Sequence, residues 1–377
     1  MRTLSPVSRD ALLLKLRDAF NFAQQQVRAV VDAHPDYYPM YTVQGKWAQE
    51  KDLWTHWCEG FFPSQMWMFH DLTKDPKWRG LAERYTVKLE PRKDDRNVHD
   101  LGFIFLNTYG RWYRLTRDRR LRDVVVQAGR TLALRFKEKG AYLCSFIGPD
   151  SLFIDIMMNV PVIFWAAIET GDDRLMSVAS RHCLTSRRYI VRGDGSTAHE
   201  GIFDLNTGEF LRQSTHQGYR SDSCWVRGLT WALYGFATSY RLSGDARFLE
   251  TSQACADCYI SHCGEGLAPP WDFDVPEGPE RIWDSSAGAI AASGLQELAD
   301  LVPCPEKSRR YRNAALTILD SLTSESFLAR YHPGQEGLLL HGVYHKNKGL
   351  GVDESVAWGD HFFVEAIYRV LKMNDER

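Results

Sequence analysis

Apolar and amphipathic helix patterns alternate along this chain. Five apolar segments each end at a short polar turn containing Gly, Asp or Pro, and a charged amphipathic helix follows each turn. The turns centre on Asp75, Asp118, Asp172, Asp245 and Pro305. Asp caps the amino end of a helix, and Pro fits its first turn. The pattern predicts repeated helical hairpins, each with a buried helix and a second helix that covers it.

Six segments have the composition of buried helices. They are GFFPSQMWMFHDL, LGFIFLNTYGRWYRL, IMMNVPVIFWAAIE, RGLTWALYGFATSYRL, SSAGAIAASGLQELADL and WGDHFFVEAIYRVL. The repeating unit varies from roughly 40 to 70 residues, which suits long loops gathered at one end of a closed barrel better than an open solenoid. We therefore predict an all-α fold, an (α/α)6 barrel with six inner and six outer helices and loop insertions at the active-site mouth.

The predicted barrel occupies the whole chain as one catalytic domain, 1–377, with 1–50 forming an N-terminal helix and loop. Two stretches, WDFDVPE and HEGIFDLNTGEFL, interrupt the helical pattern and are predicted to be loop insertions. The second contains NTGE between two apolar runs, which predicts a short β-hairpin.

Charged residues recur where the apolar helices are expected to begin. Counting back from each turn gives Glu59, Asp100, Asp155, Arg227, Asp284 and Asp360. If the repeats share one orientation, these side chains form a ring at one mouth of the barrel. Helix capping is the alternative for the acidic members, particularly Asp284 and Asp360. Capping does not explain Arg227, whose charge is unfavourable at the start of a helix.

Asp155 is the only charged residue in the apolar stretch LFIDIMMNVPVIFWA. Asp100 and Asp155 begin consecutive predicted inner helices, and packed helices lie about 8–10 Å apart, so both carboxyls could flank one sugar-sized ligand. We expect Asp155 to hold a proton in its apolar setting and Asp100, beside His99, to stay charged. An acid and a partner carboxylate are the groups that glycoside chemistry uses. Arg227 would hold an acidic ligand.

Composition restricts the partners of the protein. The net charge of −2 gives no indication of a nucleic acid or an anionic membrane as partner. The 12 Trp and 16 Tyr mostly suit a large core, although some beside the site could stack on a sugar. No stretch is long and apolar enough to cross a membrane, and the N-terminus lacks a signal-peptide pattern, which predicts a cytoplasmic protein. The chain could be a monomer or a homodimer.

The eight cysteines fit reduced thiols better than a disulfide framework. One cluster, CADCYISHC, brings Cys255, Cys258, His262 and Cys263 close together in sequence. Structural zinc usually takes its ligands from turns, whereas three of these residues share a helix face. We therefore expect a half-buried helix face and no metal site, and the predicted chemistry needs no cofactor.

Several motifs, in order, resemble the unsaturated glucuronyl hydrolases, glycoside hydrolase family 88. They are NVHDLGFIF, DIMMNVPVIFWA, SRRYIVRGDGSTAHEGIFD, STHQGYRSDSCWVRGLTWALYGF, WDFDVP, DSSAGAIAASGL and AWGDHFFVEA. The resemblance covers the chain from about residue 57 to its end. It implies an (α/α)6 barrel acting on oligosaccharides that carry a 4,5-unsaturated uronic acid at the non-reducing end. The implied reaction is hydration of the vinyl ether, after which the hemiketal opens and releases the sugar chain.

The resemblance also implies roles for individual residues. Asp155 matches the general acid/base and Asp100 the second essential carboxylate. The expected substrate-binding residues are His199, Gln217, Arg227, Trp231, His99, Phe62, Trp283, Asp284 and Trp358. Phe62 stands where the family often has Trp, and Leu229 where Gln is common, which bears on substrate preference.

Three alternative functions remain open at this point. The motifs also resemble the unsaturated rhamnogalacturonyl hydrolases, although HDLGF and THQG favour the glucuronyl side. A sugar epimerase on the same barrel would generally use a histidine pair as acid and base. An inactive sugar-binding protein is disfavoured because both Asp100 and Asp155 are retained.

Overall fold

The computed structural model describes residues 9–48 and 57–375, and helix makes up 59% of it. The helices are α1 (Arg9–Ala33), α2 (Phe61–Thr73), α3 (Pro76–Val87), α4 (Leu101–Phe105), α5 (Tyr109–Thr116), α6 (Arg119–Ala133), α7 (Pro161–Thr170), α8 (Asp173–Tyr189), α9 (Val226–Ser243), α10 (Ala246–His262), α11 (Ser285–Leu301), α12 (Pro305–Leu322) and α13 (Ala357–Asp375). The strands are β1 (Thr42–Val43), β2 (Lys46–Trp47), β3 (Phe136–Lys137), β4 (Tyr142–Leu143), β5 (Ser151–Phe153), β6 (Glu200–Phe203), β7 (Phe210–Ser214), β8 (Gly342–His345) and β9 (Leu350–Glu354).

Two concentric rings of helices form the barrel. The inner ring runs α2, α4 with α5, α7, α9, α11 and α13, and α13 packs against α2 to close it. The outer ring consists of α3, α6, α8, α10 and α12, each packed on an inner helix, together with α1. The predicted (α/α)6 barrel with six inner and six outer helices is confirmed.

The five predicted turns all precede outer helices. Asp75, Asp118, Asp172 and Asp245 are N-caps whose carboxylates accept backbone N–H groups at the start of α3, α6, α8 and α10. Pro305 is the first residue of α12, where its missing N–H is not needed. These caps stop each apolar helix at a defined place and turn the chain outward.

Helix α1 supplies the sixth outer helix. Its buried face includes Leu12, Leu16, Phe20 and Val27, and it packs on α13 and α12. The sequence predicts an N-terminal helix and loop over 1–50, but not that this helix covers the last inner helix. Residues 1–8 and 49–50 of that stretch lie outside the described residues.

Short strands gather at the amino ends of the inner helices. Strands β5, β6 and β7 form one antiparallel sheet, and β8 pairs with β9. The β6–β7 hairpin turns through residues 204–209, which confirms the hairpin predicted around NTGE. Within the described part of the chain, every helix is too short or too polar to span a bilayer.

Candidate active site

A cavity opens at the amino ends of the inner helices, beside these strands. It is lined by Trp57, His99, Asp100, Phe146, Phe153, Asp155, His216, Gln217, Arg227, Tyr344, His345, Lys348 and Leu350. It measures about 40 Å³, which is small for a sugar ring. A sugar ring would therefore extend from this recess into the open mouth above it. Both predicted carboxyls lie in this cavity.

The three-stranded sheet brings Asp155 and His199 side by side. Asp155 follows β5 and His199 precedes β6, and these strands pair antiparallel with Phe153 opposite Glu200. The backbone N–H of Ile154 donates to the His199 carbonyl at 3.0 Å. His199 Nε2 lies 3.5 Å from Asp155 Oδ2 as a result. The His199 side chain is fully buried, so the pair is shielded from bulk water.

A close backbone approach sets the position of Asp100 relative to Asp155. A Cβ added to Gly102 would lie 2.5 Å from Asn159 Cα, so only glycine fits where α4 meets the segment after β5. Asn159 Oδ1 accepts the Phe103 N–H at 2.9 Å, and its Nδ2 donates to the Asp155 carbonyl at 3.2 Å. Asn159 therefore links the two carboxyl-bearing segments by its own side chain.

Two histidines have their tautomers fixed by backbone donors. His199 Nδ1 accepts the N–H groups of His216 at 2.9 Å and Gln217 at 3.1 Å. His99 Nδ1 accepts the N–H of Phe146 at 3.2 Å. A ring nitrogen that accepts a hydrogen bond carries no proton, so each neutral ring holds its proton on Nε2.

Each Nε2 then lies near one carboxyl, although His199 Nε2 and Asp155 Oδ2 have no hydrogen-bond partner among the described residues. His199 Nε2 faces Asp155, and His99 Nε2 lies 3.5 Å from Asp100 Oδ1. These distances are at the outer limit of a hydrogen bond. Burial lowers the pKa of His99 to about 3, so that ring is neutral at physiological pH. It gives Asp100 a donor but no positive charge.

The pKa shifts of the two carboxyls are the reverse of those predicted. Burial and the negative charge of Asp155 raise the pKa of Asp100 well above its usual value. Burial acts in the same direction on Asp155, but the interaction with His199, and more weakly the charge of Arg227, outweighs it and keeps the pKa of Asp155 below its usual value. The expectation that Asp155 has the raised pKa is therefore wrong, and Asp100 is the carboxyl whose pKa is raised. Sequence neighbours do not show which polar groups meet in space.

Arg227 is held on every side by protein atoms. Its Nη1 donates to the Val343 carbonyl and to Asp284 Oδ2, and its Nη2 donates to Gln217 Oε1 and the Tyr344 carbonyl. The side chain is 2% exposed. The two Nη atoms are thus occupied in fixing β8 and Gln217 around the cavity.

Two tryptophans sandwich this guanidinium. Its carbon lies 4.5 Å from the ring centroid of Trp225 and 5.2 Å from that of Trp358. Trp358 is fully buried, behind Arg227. The structure therefore places Trp358 in the wall that supports the cavity.

Four further predicted residues lie away from the cavity lining. Phe62 lines a separate small cavity with Gln65 and Asp360, and Trp231 is buried against Phe103. Trp283 is 51% exposed and packs on Phe327. Asp284 is the N-cap of α11, accepting from Ser286 N, and also the buried ion-pair partner of Arg227.

The predicted ring of charges is incomplete. Glu59 pairs with Arg92 instead of facing the cavity. Asp360 accepts the backbone N–H groups of Leu338 and Leu339 at 2.9 and 3.0 Å. It holds a loop in place, a role different from capping its own helix. Of the six charged residues, Asp100, Asp155 and Arg227 line the cavity, whereas Glu59, Asp284 and Asp360 do not.

Sequence reasoning missed several lining residues. They are Trp57, Phe146, Phe153, His216, Tyr344, His345, Lys348 and Leu350. Most lie in loops or short strands, where helical periodicity gives no signal. His216 adjoins Gln217 in THQG, and His345 and Lys348 belong to HKNKGLGVDES, so motif proximity was the available signal.

His345 stands out among these residues. It is 5% exposed, and neither ring nitrogen has a hydrogen-bond partner among the described residues. Burial lowers its pKa to about 3. Lys348 forms no ion pair within the described chain, whereas the nearby Lys346 is paired with Glu280. His345 and Lys348 thus offer this cavity an uncommitted polar ring and an uncommitted cation.

Within residues 9–48 and 57–375, no three His, Cys, Asp or Glu side chains converge as a metal centre would require. The cavity instead offers two carboxyls with opposite pKa shifts, imidazole rings and aromatic walls. A protonated and an ionised carboxyl on one cavity are suited to proton transfer at a sugar ring.

Comparisons with known proteins agree with this chemistry. The model of Glycosyl Hydrolase Family 88 matches residues 27–262. Unsaturated glucuronyl hydrolase from Bacillus sp. (strain GL1) is 33% identical over 328 residues, 84% of this chain and 86% of that protein. Unsaturated chondroitin disaccharide hydrolase from Streptococcus pneumoniae (strain ATCC BAA-255 / R6) is 30% identical, covering 84% of this chain and 82% of that protein.

The fold comparison gives the same result. The crystal structure of unsaturated glucuronyl hydrolase from Bacillus sp. GL1, described as responsible for the degradation of glycosaminoglycan, superposes with a TM-score of 0.88. It is 31% identical and covers 94% of this chain and 96% of that one. Fold, site and relatives together define a glycosidase of the (α/α)6 barrel class. More narrowly, the chain belongs to glycosyl hydrolase family 88.

Proposed function

We propose that this glycosidase removes the 4,5-unsaturated uronic acid from the non-reducing end of oligosaccharides by hydrating its C4–C5 double bond. The observation that carries the proposal is the pair of carboxyls, Asp100 and Asp155, that line one cavity and have opposite pKa shifts. Release of unsaturated uronic acid accords with the family and with its named relatives. The assignment of steps to residues is our inference.

Substrate binding changes the protonation of the pair. In the free protein the pKa of Asp100 is raised well above its usual value and that of Asp155 is lowered. The substrate brings its own carboxylate into the cavity, and a nearby negative charge raises the pKa of a carboxyl group. The uronate therefore favours protonation of Asp155, either from Asp100 across the cavity or from water. Asp155 then becomes the acid that the resemblance implies.

The reaction balances with these groups and one water molecule. Protonated Asp155 gives its proton to C4, and positive charge develops at C5 and the ring oxygen. Water adds to C5 while the Asp155 carboxylate takes a proton from it, which restores the acid. The hemiketal at C5 opens and the remaining sugar chain leaves. His199 Nε2–H holds Asp155 in place through the cycle.

Two groups suit recognition of the uronate. Both Nη atoms of Arg227 are occupied by protein acceptors, so its guanidinium acts mainly by supporting Gln217 and β8. Lys348 supplies a positive charge with no ion pair in the described chain, and the ring nitrogens of His345 are open to sugar hydroxyls. We assign Lys348 to the electrostatic attraction of the anionic substrate and His345 to its hydroxyls.

The wider organisation belongs to the same proposal. One catalytic domain over 1–377, acting as a monomer or a homodimer in the cytoplasm, accords with a single barrel that carries the complete site. The scheme needs carboxyl groups and water, and no step uses a metal, a cofactor, a nucleic acid or a membrane.

A substrate panel tests the function. The ultraviolet absorbance of the conjugated double bond should fall when the protein is mixed with an unsaturated disaccharide from hyaluronan, chondroitin or heparin. Sulfated and unsulfated members, together with unsaturated pectin fragments, would establish the preferred class. If absorbance stayed constant across the whole panel while the disaccharides bound, the protein would be a sugar-binding protein and the proposal would be wrong.

A further inference from the structure

A second cavity lies at the opposite end of the barrel. It measures about 390 Å³ and is lined by residues of the inner helices α4, α5, α7, α9, α11 and α13, with Phe103 and Phe362 among its apolar residues. Its charged lining consists of Arg111, Arg114, Arg241, Arg369, Glu297 and Glu365. None of these residues belongs to the active site described above.

The two glutamates are already committed to arginines. Glu365 accepts from Arg111, and Glu297 accepts from Arg241 and from Arg369 at 2.9 Å. Despite burial, the charges of Arg369 and Arg111 lower the pKa of Glu365 to about 2, so it is ionised. The glutamates thus contribute two negative charges against four positive ones, which leaves the lining with an excess of two positive charges.

Arg114 provides the clearest unmatched charge. It is exposed toward the cavity and makes no hydrogen bond or ion pair with the described residues. Crowding by protein atoms and the charges of Arg111 and Arg241 lower its pKa to about 10, so it is still a cation at neutral pH. Arg111 adds an unmatched donor, because its buried Nε has no partner in the described chain. An unpaired buried donor is costly unless a ligand oxygen satisfies it.

Helix dipoles account for part of this arrangement. Basic side chains near helix carboxyl ends are stabilised by the partial negative charge there. That effect requires each arginine to sit near its own helix end. It does not explain why four arginines line one cavity. It also does not explain why a buried Nε has no acceptor.

We propose that this cavity, here called the rear cavity, binds a small dianionic oxyanion: a phosphate or sulfate group, free or as a monoester of a small molecule. Arg114 and Arg111 would donate to the oxygens of the anion, since guanidinium groups match them in pairs. The volume exceeds that of the bare ion, so a sugar-sized ester also fits. Trp165 and Tyr368 in the lining would cover such a body.

Calorimetric titration of the full chain tests the rear cavity. Inorganic phosphate, glucose 6-phosphate and glucose 6-sulfate would each be added at matched ionic strength. We expect saturable binding at one site for at least one of them. Tighter binding of an ester than of inorganic phosphate would indicate that esters are the ligands, and equal binding would indicate the free ion.

Single substitutions distinguish binding in the rear cavity from binding at other sites. Arg114→Met should weaken binding about tenfold, and Arg241→Met should weaken it less, because Arg369 still pairs with Glu297. Arg120→Met removes an exposed arginine in the first turn of α6 and should leave binding unchanged, as should Lys348→Met in the active site. Hydrolysis of the preferred disaccharide should stay normal in Arg114→Met. Absence of saturable binding, or loss of binding in Lys348→Met but not in Arg114→Met, would overturn the proposal.

Discussion

At the scale of single residues, the site depends on which hydrogen-bond partners each side chain has already used. His199 is limited to donating from Nε2 because two backbone N–H groups occupy Nδ1. Arg227 is similarly committed, whereas Lys348 and His345 are not. Motif reasoning identified His199 and Arg227 but could not show how their atoms were used, because the partners come from distant loops.

Lys348 gives a prediction at this scale. Replacing it with Met should raise KM for an unsaturated uronyl disaccharide by about tenfold while kcat stays near normal, because its charge attracts substrate but takes no part in proton transfer. Initial rates over a range of substrate concentrations would measure both parameters. The matched control is Lys346→Met, since Lys346 is paired with Glu280 on the outside. A large fall in kcat with unchanged KM would contradict the assignment.

At the scale of elements, the contact between α4 and the segment after β5 sets the carboxyl geometry. Gly102 permits the approach, and Asn159 bonds across it. Sequence periodicity placed Asp100 and Asp155 at the starts of neighbouring inner helices. Asp100 directly precedes α4, whereas Asp155 lies in a short 3-10 turn, Ile154–Met158, between β5 and α7. Periodicity could not predict that β5 pairs with β6 and so brings His199 to Asp155, because those strands are only three and four residues long.

Gly102→Ala tests the close approach. The added methyl group meets backbone atoms that cannot move aside, so the free energy of unfolding should fall by about 3 kcal/mol. Activity should fall as well, because a displacement of about 1 Å between reacting groups can cost on the order of a hundredfold in rate. Chemical denaturation and the disaccharide assay would measure the two effects.

A second glycine serves as the control for this change. Gly80 lies within α3, and a Cβ there would meet nothing within 4 Å. Gly80→Ala should therefore raise the free energy of unfolding by about 0.5–1 kcal/mol and leave activity unchanged. Equal stability of the two variants would show that the Gly102 contact is looser than the structure indicates.

At the scale of the whole molecule, the repeat pattern determines the architecture. The alternation of apolar and amphipathic helices, with Asp caps between them, was enough to predict the barrel and the position of its mouth. The protonation states were not predictable in this way, because they depend on the electrostatics of the assembled interior. The rear cavity was likewise invisible in the sequence, since its arginines come from helices far apart along the chain.

The buried acids give the whole fold a dependence on pH. Burial raises the pKa of Asp360 to about 7, whereas an unfolded Asp titrates near 4. The folded state therefore holds a proton that the unfolded state releases, so the stability this group contributes is present below about pH 4 and is lost as pH rises through 7. From this group alone, unfolding should cost roughly 2–3 kcal/mol more at about pH 5 than at about pH 8.

Urea denaturation at the two pH values measures this difference. The variant Asp360→Asn should reduce it, even though the variant is less stable overall because one of two backbone donors loses its acceptor. A protein more stable at the higher pH, with the same dependence in Asp360→Asn, would show that Asp360 is ionised in the folded state.

The central claim is that Asp155 delivers a proton to C4 of the unsaturated uronate. The most direct measurement is nuclear magnetic resonance of the product formed in the first turnovers in D2O, before uncatalysed exchange. The proposal predicts one deuterium at C4 with the wild-type enzyme, and turnover lowered by on the order of a thousandfold in Asp155→Asn, with substrate binding retained. Sugar release without deuterium at C4, or near-normal turnover by Asp155→Asn, would contradict it.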